Sequence, residues 1–245
     1  MDKLIYTAMT GASQTLNQQA AVSHNLANAT STGFRTEMHR LRAVPVVSES
    51  MPSRAFAVDA SVASDFTPGV LQVTGRSLDV AVEGKGWLAV QLPDGREAYT
   101  RDGNLELSPN GVLQTRQGLP VVGDGGPVTL PPDDQIVIGK DGSISAIPSS
   151  GALNTVNVVG RLKLVNPPEQ DLARGEDGLF RLKSGEAAPQ DEAVTVAGGY
   201  LEGSNVSVVD QMISMISLAR QFEMQTKMLQ TAEANDQAAT KVLAS

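Results

Sequence analysis

The side chains that could do chemistry in this chain are few, and their spacing argues against most reactions. Gly84-Lys85-Gly86 follows a strand-like run, but it lacks both the spacing and the helix start of a phosphate-cradling loop. A tight turn before Trp87 is the plainer reading, with Trp87 itself expected in a β core. Asp133-Asp134 and Glu176-Asp177 set carboxylates side by side, yet acidic neighbours in polar loops are ordinarily solvated. The Asp-Gly pairs at 94–95, 102–103, 124–125, 141–142 and 177–178 lack the ligand spacing of a calcium loop. Only His24 and His39 are available for metal ligation or proton transfer, and there is no cysteine. No serine has a G-x-S-x-G setting and no H-E-x-x-H occurs. No catalytic, cofactor-binding or metal-ligating residues are expected.

Composition narrows the remaining classes. The 245 residues carry a formal charge of −8, with nine aromatics, which disfavours a phosphate-backbone or base-stacking protein, so no nucleic-acid partner is expected. No run of about 18 to 20 apolar residues occurs, so no direct membrane span is expected. No apolar signal core followed by a small-residue cleavage site stands near the start, which predicts a chain without a cleaved signal peptide.

Charge is unevenly placed. Residues 46–200 hold twelve basic and twenty acidic groups, whereas the stretch from Leu4 to Phe34 holds no Asp, Glu, Lys or Arg in 31 residues. That stretch reads as a helix, with Ile5, Met9, Ala12, Leu16 and Ala20 at spacings of three and four, fading near Asn28. Gly33 is the candidate for a left-handed exit. An exposed terminal helix is usually solvated by charge, so a charge-free one predicts packing among other helices, where neutral amides pair without the cost of burying ions. At the other end, Val208, Met212, Met215, Ala219, Phe222, Thr226 and Leu229 follow alternating steps of four and three, the repeat of a coiled-coil seam. Val209, Ile213 and Ile216 widen that stripe, and Ser204 or Asn205 is the expected N-cap, with Asp210 in the first turn.

Between the ends the period changes to two. Leu78, Val80 and Val82 alternate with Asp79, Ala81 and Glu83. Further strand-like runs start at Trp87, Glu97, Leu105, Val112, Gln135, Ser143, Val156 and Leu179. The Asp-Gly pairs, with Asn110-Gly111, read as hairpin turns between them. The fold class expected is α+β: long N- and C-terminal helices packed as a coiled-coil-like layer, with a central irregular all-β domain. The expected division is residues 1–34 (N-terminal helix), 35–69 (extended connector), 70–200 (β-rich outer domain) and 201–245 (C-terminal coiled-coil helix).

Four stretches in order carry a resemblance. Asn25-Leu26-Ala27-Asn28-Ala29-Thr30-Ser31-Thr32-Gly33-Phe34-Arg35 is similar to the N-terminal motif of the flagellar axial proteins that build the bacterial rod and hook. Ser77 to Val90 resembles that family's next signature, Tyr99-Thr100-Arg101-Asp102-Gly103 the one after, and Leu201-Glu202-Gly203-Ser204-Asn205-Val206 the start of its C-terminal helix. Ile5 to Met9, Arg42 to Val46 and Arg220 to Met224 look most like the family's proximal-rod members, and Gly203 favours them over distal-rod and hook members. Trp87 stands where many relatives have Phe.

The resemblance implies a non-enzymatic structural subunit of the proximal rod, without cofactor, in the periplasmic basal body. It implies export by the flagellar type III apparatus, and partners that are other copies of itself and other rod proteins. The assembly interface it implies comprises Ile5, Met9, Leu16, Leu26, Asn28, Gly33, Phe34, Leu201, Ser204, Asn205, Val206, Met212, Ile216, Phe222 and Leu229. Within that set, Ile5, Met9, Leu16 and Leu26 on one helix are expected to share a core with Met212, Ile216, Phe222 and Leu229 on the other. A distal-rod or hook subunit, and a β-rich enzyme or glycan-binding domain with helical flanks, stay open at this point.

Overall fold

The computed structural model describes residues 4–45, 55–131, 134–148 and 157–243. The chain forms two compact units, one from residues 1–29, 36–65 and 206–245, the other from residues 30–35 and 66–205.

The first unit holds both helices. Helix α1 (Leu4–Ala27) has neither proline nor a charged side chain and stops where Thr30, Ser31, Thr32 and Gly33 follow. The Asn28 side chain closes its last turn by donating to the His24 carbonyl at 3.0 Å. Helix α2 (Val208–Leu243) runs 36 residues, with Asp210 in its first turn and Lys241 in its last, both on the favourable side of the helix dipole. Its N-cap is Ser207, whose Oγ accepts from the Asp210 N–H at 3.4 Å, rather than Ser204 or Asn205. Those two residues precede the helix, and the Asn205 amide donates to the Thr67 carbonyl at 3.1 Å. Residues 35–69, read above as an extended connector, contain β1 (Glu37–Pro45) and β2 (Ala55–Ser64), paired with each other antiparallel through a register shift at Arg40/Leu41. Residues 46–54 lie outside the described residues.

The second unit is antiparallel throughout. Its ribbons pair β3 (Leu71–Val73) with β18 (Tyr200–Glu202), and β4 (Val80–Glu83) with β17 (Thr195–Gly198). Strands β5 (Trp87–Gln91), β6 (Glu97–Thr100), β14 (Leu164–Val165), β15 (Leu172–Arg174) and β16 (Phe180–Leu182) form a five-stranded sheet in the order β14-β5-β6-β16-β15. The hairpin of β7 (Leu105–Leu107) with β8 (Leu113–Thr115) and the short pair β9 (Val122–Gly123) with β10 (Gly126–Pro127) lie between them in sequence. Strands β11 (Gln135–Ile138), β12 (Ser143–Ile147) and β13 (Asn157–Arg161) make a three-stranded sheet.

The two-residue period of β5 has a direct consequence. Leu88 and Val90 enter one core with Val80, Leu105, Leu113 and Ile144, while Trp87 and Ala89 enter a second with Tyr99, Val165 and Phe180. Both faces of that strand are buried, so it reads as a nearly continuous apolar run. The expected turns form at Asp94-Gly95, Asn110-Gly111, Asp141-Gly142 and Asp177-Gly178, where each glycine takes positive φ. Asp102-Gly103 differs. Its glycine is not left-handed; a Cβ there would stand 1.6 Å from the Val80 carbonyl oxygen, so the position requires close backbone approach. Gly103→Ala is therefore expected to destabilise the second unit by about 3 kcal/mol, lowering its thermal midpoint by roughly 6–12 °C as read by Trp87 emission.

Candidate functional site

In the first unit, α1 meets α2 through its small side chains. Ala8, Thr15, Ala21 and Asn25 are the buried residues of α1, at steps of seven, six and four that keep them on one side of the helix. Gly11 lets the facing helix come close: a Cβ there would lie 3.0 Å from the Gln225 amide nitrogen. The Thr15 hydroxyl lies 2.9 Å from the Gly11 backbone carbonyl and 3.3 Å from Oε1 of the Gln225 side chain, so the contact is polar but uncharged. On α2, Met215, Ala219, Phe222, Thr226 and Leu229 are half-buried, which is the lower part of the four-three seam.

The larger apolar side chains point elsewhere. Met9 (57% exposed) and Leu16 (49%) leave the inter-helix contact, as do Met212 (53%), Ile213 (61%) and Ile216 (56%). The core shared between the two helices of one chain therefore does not contain Met9, Leu16, Met212 or Ile216. The reason is steric, since small residues allow the backbones to approach and a stripe of Met and Leu would hold them apart. An open groove of about 600 Å³ lies in the same unit, lined by Gln18, Val22, Met38, Ile213, Ser217 and Leu218 among others.

One buried amide organises the exit from α1. Asn25, 2% exposed, donates through Nδ2 to the Glu37 carbonyl at 2.8 Å and accepts from the Glu37 N–H at 2.9 Å. It thereby copies a strand neighbour for the first residue of β1.

The second unit holds an ionic cluster that no spacing within the chain announces. The Glu202 carboxylate is 1% exposed and lies between two guanidiniums: Arg35 Nη1 at 2.7 Å from Oε1 and Arg101 Nη1 at 2.9 Å from Oε2. The Gly69 N–H donates to Oε1 at 2.8 Å. Arg101 also donates to the carbonyls of Val82 (3.0 Å) and Gly84 (2.5 Å). Both guanidiniums lie over the Trp87 ring, Arg101 at 5.4 Å and Arg35 at 6.0 Å from its centroid, and Trp87 in turn meets Phe66 edge to face and Phe180 at a tilt. Burial lowers the proton affinity of Arg101 below that of a solvated guanidinium; Glu202 opposes this and Arg35 adds to it. Removing one member of such a buried set costs about 3–5 kcal/mol, because it leaves an uncompensated charge out of water.

The cluster ties the chain where it enters and leaves this unit. The Gly33 N–H donates to the Glu202 carbonyl at 2.8 Å, and the Asn205 N–H donates to the Phe34 carbonyl at 3.3 Å. Gly33 has φ +66°, and a Cβ there would meet the Arg101 backbone at 2.4 Å, so the expected left-handed exit is present and also tightly packed. Phe34 is buried beneath the Arg174 guanidinium at 4.5 Å, which donates to the Arg35 carbonyl at 2.9 Å.

Of the residues expected at an interface, Gly33, Phe34, Leu201 and Asn205 are brought together in the second unit, Leu201 through its pairing with Gln72. Ser204 and Val206 are half-buried beside them in sequence. Ile5, Leu26, Asn28, Phe222 and Leu229 are half-buried in the first unit. The organising residues Asn25, Arg35, Arg101 and Glu202 were not among those expected. Their signal was a charge or amide set inside an otherwise small or apolar motif: Phe34-Arg35, Thr100-Arg101 and Leu201-Glu202. Among the described residues no group of three His, Asp or Glu could hold a metal ion, and no helix is long and apolar enough to cross a membrane.

Three family models match. Residues 5–35 match the flagella basal body rod protein model, residues 81–146 the flagellar hook protein FlgE/F/G D1 domain, and residues 197–242 the flagellar basal body rod FlgEFG protein C-terminal model. The chain is 47% identical over 249 residues to the flagellar basal-body rod protein FlgF of Salmonella typhimurium, with 99% of each chain covered. The corresponding protein of Escherichia coli K12 gives the same identity and coverage. The flagellar basal-body rod protein FlgG of Buchnera aphidicola subsp. Schizaphis graminum is 28% identical, covering 86% of this chain and 88% of its own.

Asn25 lies within the first matched segment, and its two hydrogen bonds give a test of the local reading. Asn25→Ala is expected to destabilise the first unit by about 2–3 kcal/mol and to release the Glu37 amide to fast hydrogen exchange.

Proposed function

We propose that this chain, which belongs to the FlgF family of flagellar basal-body rod proteins, is a structural subunit of the proximal rod and acts by polymerising through its terminal helices. The observation that carries the reading is the apolar face that α2 leaves outward. Val209, Met212, Ile213 and Ile216 stand exposed within about two turns of α2, followed along the helix by Met224 and Met228. Contiguous exposed apolar surface of this kind marks an association site.

The charge-free α1 supports the same reading. Its outward Tyr6, Met9 and Leu16 are interleaved with Ser13, Asn17 and Ser23, side chains that tolerate burial against a neighbour with little desolvation cost. The partners would be other copies of this chain and other rod proteins, packed in concentric layers by their helices. Delivery would be by the flagellar type III export apparatus, without a cleaved signal peptide, to the periplasmic part of the basal body. No catalysis is assigned, since assembly itself is the function.

In this reading the assembly residues are Ile5, Met9, Leu16 and Leu26 on α1 and Met212, Ile216, Phe222 and Leu229 on α2. Phe222 and Leu229 work largely within the chain, and Met9, Leu16, Met212 and Ile216 work between chains. A charge placed on the outward face should block association and leave the β unit intact. Ile216→Asp is expected to abolish incorporation into the rod and swimming motility, with Trp87 emission of the purified protein unchanged. A normally assembled rod carrying Ile216→Asp refutes the reading.

A further inference from the structure

The ionic cluster is unbalanced, and the imbalance falls on one residue. Two guanidiniums face one carboxylate, and all three side chains are at most 3% exposed. Arg101 keeps the carbonyls of Val82 and Gly84 whatever Glu202 does. Arg35 has no such reserve. Its Nη1 approaches Glu202 outside hydrogen-bond alignment, and its Nε and Nη2 have no hydrogen-bond partner among the described residues. Glu202 and the Trp87 face are what Arg35 has in place of water.

The backbone around Arg35 depends on the same late segment. The Gly33 N–H is satisfied by the Glu202 carbonyl and the Phe34 carbonyl by the Asn205 N–H. Arg174 holds Phe34 and the Arg35 carbonyl, but neither contact supplies an anion for the guanidinium. Meanwhile the last member of the buried apolar core is Val196, so core burial in the second unit is complete before the chain reaches Glu202.

We propose that Arg35, Arg101 and Glu202 form a two-ended lock: residues 30–35 dock into the β unit only when residues 202–205 are present and in place. A chain still incomplete at its C-terminal side has a folded apolar core but an undocked N-terminal exit. Docking Arg35 early would bury a second cation with no carboxylate to meet it. The lock thus makes the exit from α1 conditional on the arrival of the segment that leads into α2. This goes beyond the assembly reading and does not rest on it, because the test is made on the soluble protein.

The test is limited trypsin digestion of the full-length chain, read by intact mass, comparing wild type with Glu202→Gln. In the wild type, cleavage after Arg35 should lag well behind cleavage at the exposed Arg220 and Lys227 of α2. In Glu202→Gln, cleavage after Arg35 should accelerate at least tenfold, while Arg101 and Arg161 stay protected and Trp87 emission stays that of a buried indole. Unchanged cleavage after Arg35 overturns the lock. Cleavage rising in step at Arg35, Arg101 and Arg161 overturns it too, since that is general destabilisation. If Glu202→Gln fails to fold, Arg35→Met/Glu202→Gln should fold, having lost the cation that has no reserve partner; failure of both overturns the proposal.

Discussion

A carboxylate placed out of water between two guanidiniums is the constraint on which the second unit depends. Glu202 reaches from β18 to Arg35, Arg101 and the Gly69 amide, so one side chain gathers the chain's entry at residues 30–35, its re-entry near residue 69 and its departure at residue 205. Apolar burial alone is not directional and would accept several placements of these short segments. Charges stripped of water are not so tolerant, because each must find its partner or the arrangement is lost. The aromatic group formed by Trp87, Phe66 and Phe180 gives the guanidiniums a polarisable floor while it fills the second core.

The first unit solves a different problem with different chemistry. In the proposed assembly, two long helices pair within the chain and still offer a surface to neighbours. Small residues on α1 (Ala8, Gly11, Thr15, Ala21) take the intramolecular side, and Gln225 bridges to Thr15 without any ion. The bulky residues Met9, Leu16, Ile213 and Ile216 are left on the outside, where the proposed packing of subunits would cover them. In this account, buried ions belong to the unit that folds on itself, and neutral surfaces belong to the unit that is to be packed by others.

Much of this was legible in the residues. The charge-free stretch and the seam from Met215 to Leu229 identify two helices that need partners. The glycines at 95, 111, 142 and 178 mark real turns because their positive φ has a cost for any other residue. The face of α1 was not legible. Ala8-Gly11-Thr15 and Met9-Ala12-Leu16 share one spacing, and ranking by hydrophobicity selects the larger set, while close helix packing selects the smaller. The paired strands β1 and β2 were hidden as well. Ala and Ser are frequent in β2, and prolines 45 and 52 interrupt the run, so pairing leaves no clean alternation to read. Above all, Glu202 has no local partner: its counter-charges stand at positions 35 and 101, and nothing in the intervening sequence connects them.

The measurement that tests the central claim most directly is native-state hydrogen exchange at the amides of Gly33 and Gly69, which donate to the carbonyl and the carboxylate of Glu202. If Glu202 holds the entry and re-entry segments as part of the folded β unit, these two amides exchange only with global opening, at the rates of Ala89 and Val90 in β5. Exchange of Gly33 and Gly69 orders of magnitude faster than β5, with β5 itself protected, would contradict the account: the apolar core would then be folded with its charge cluster open.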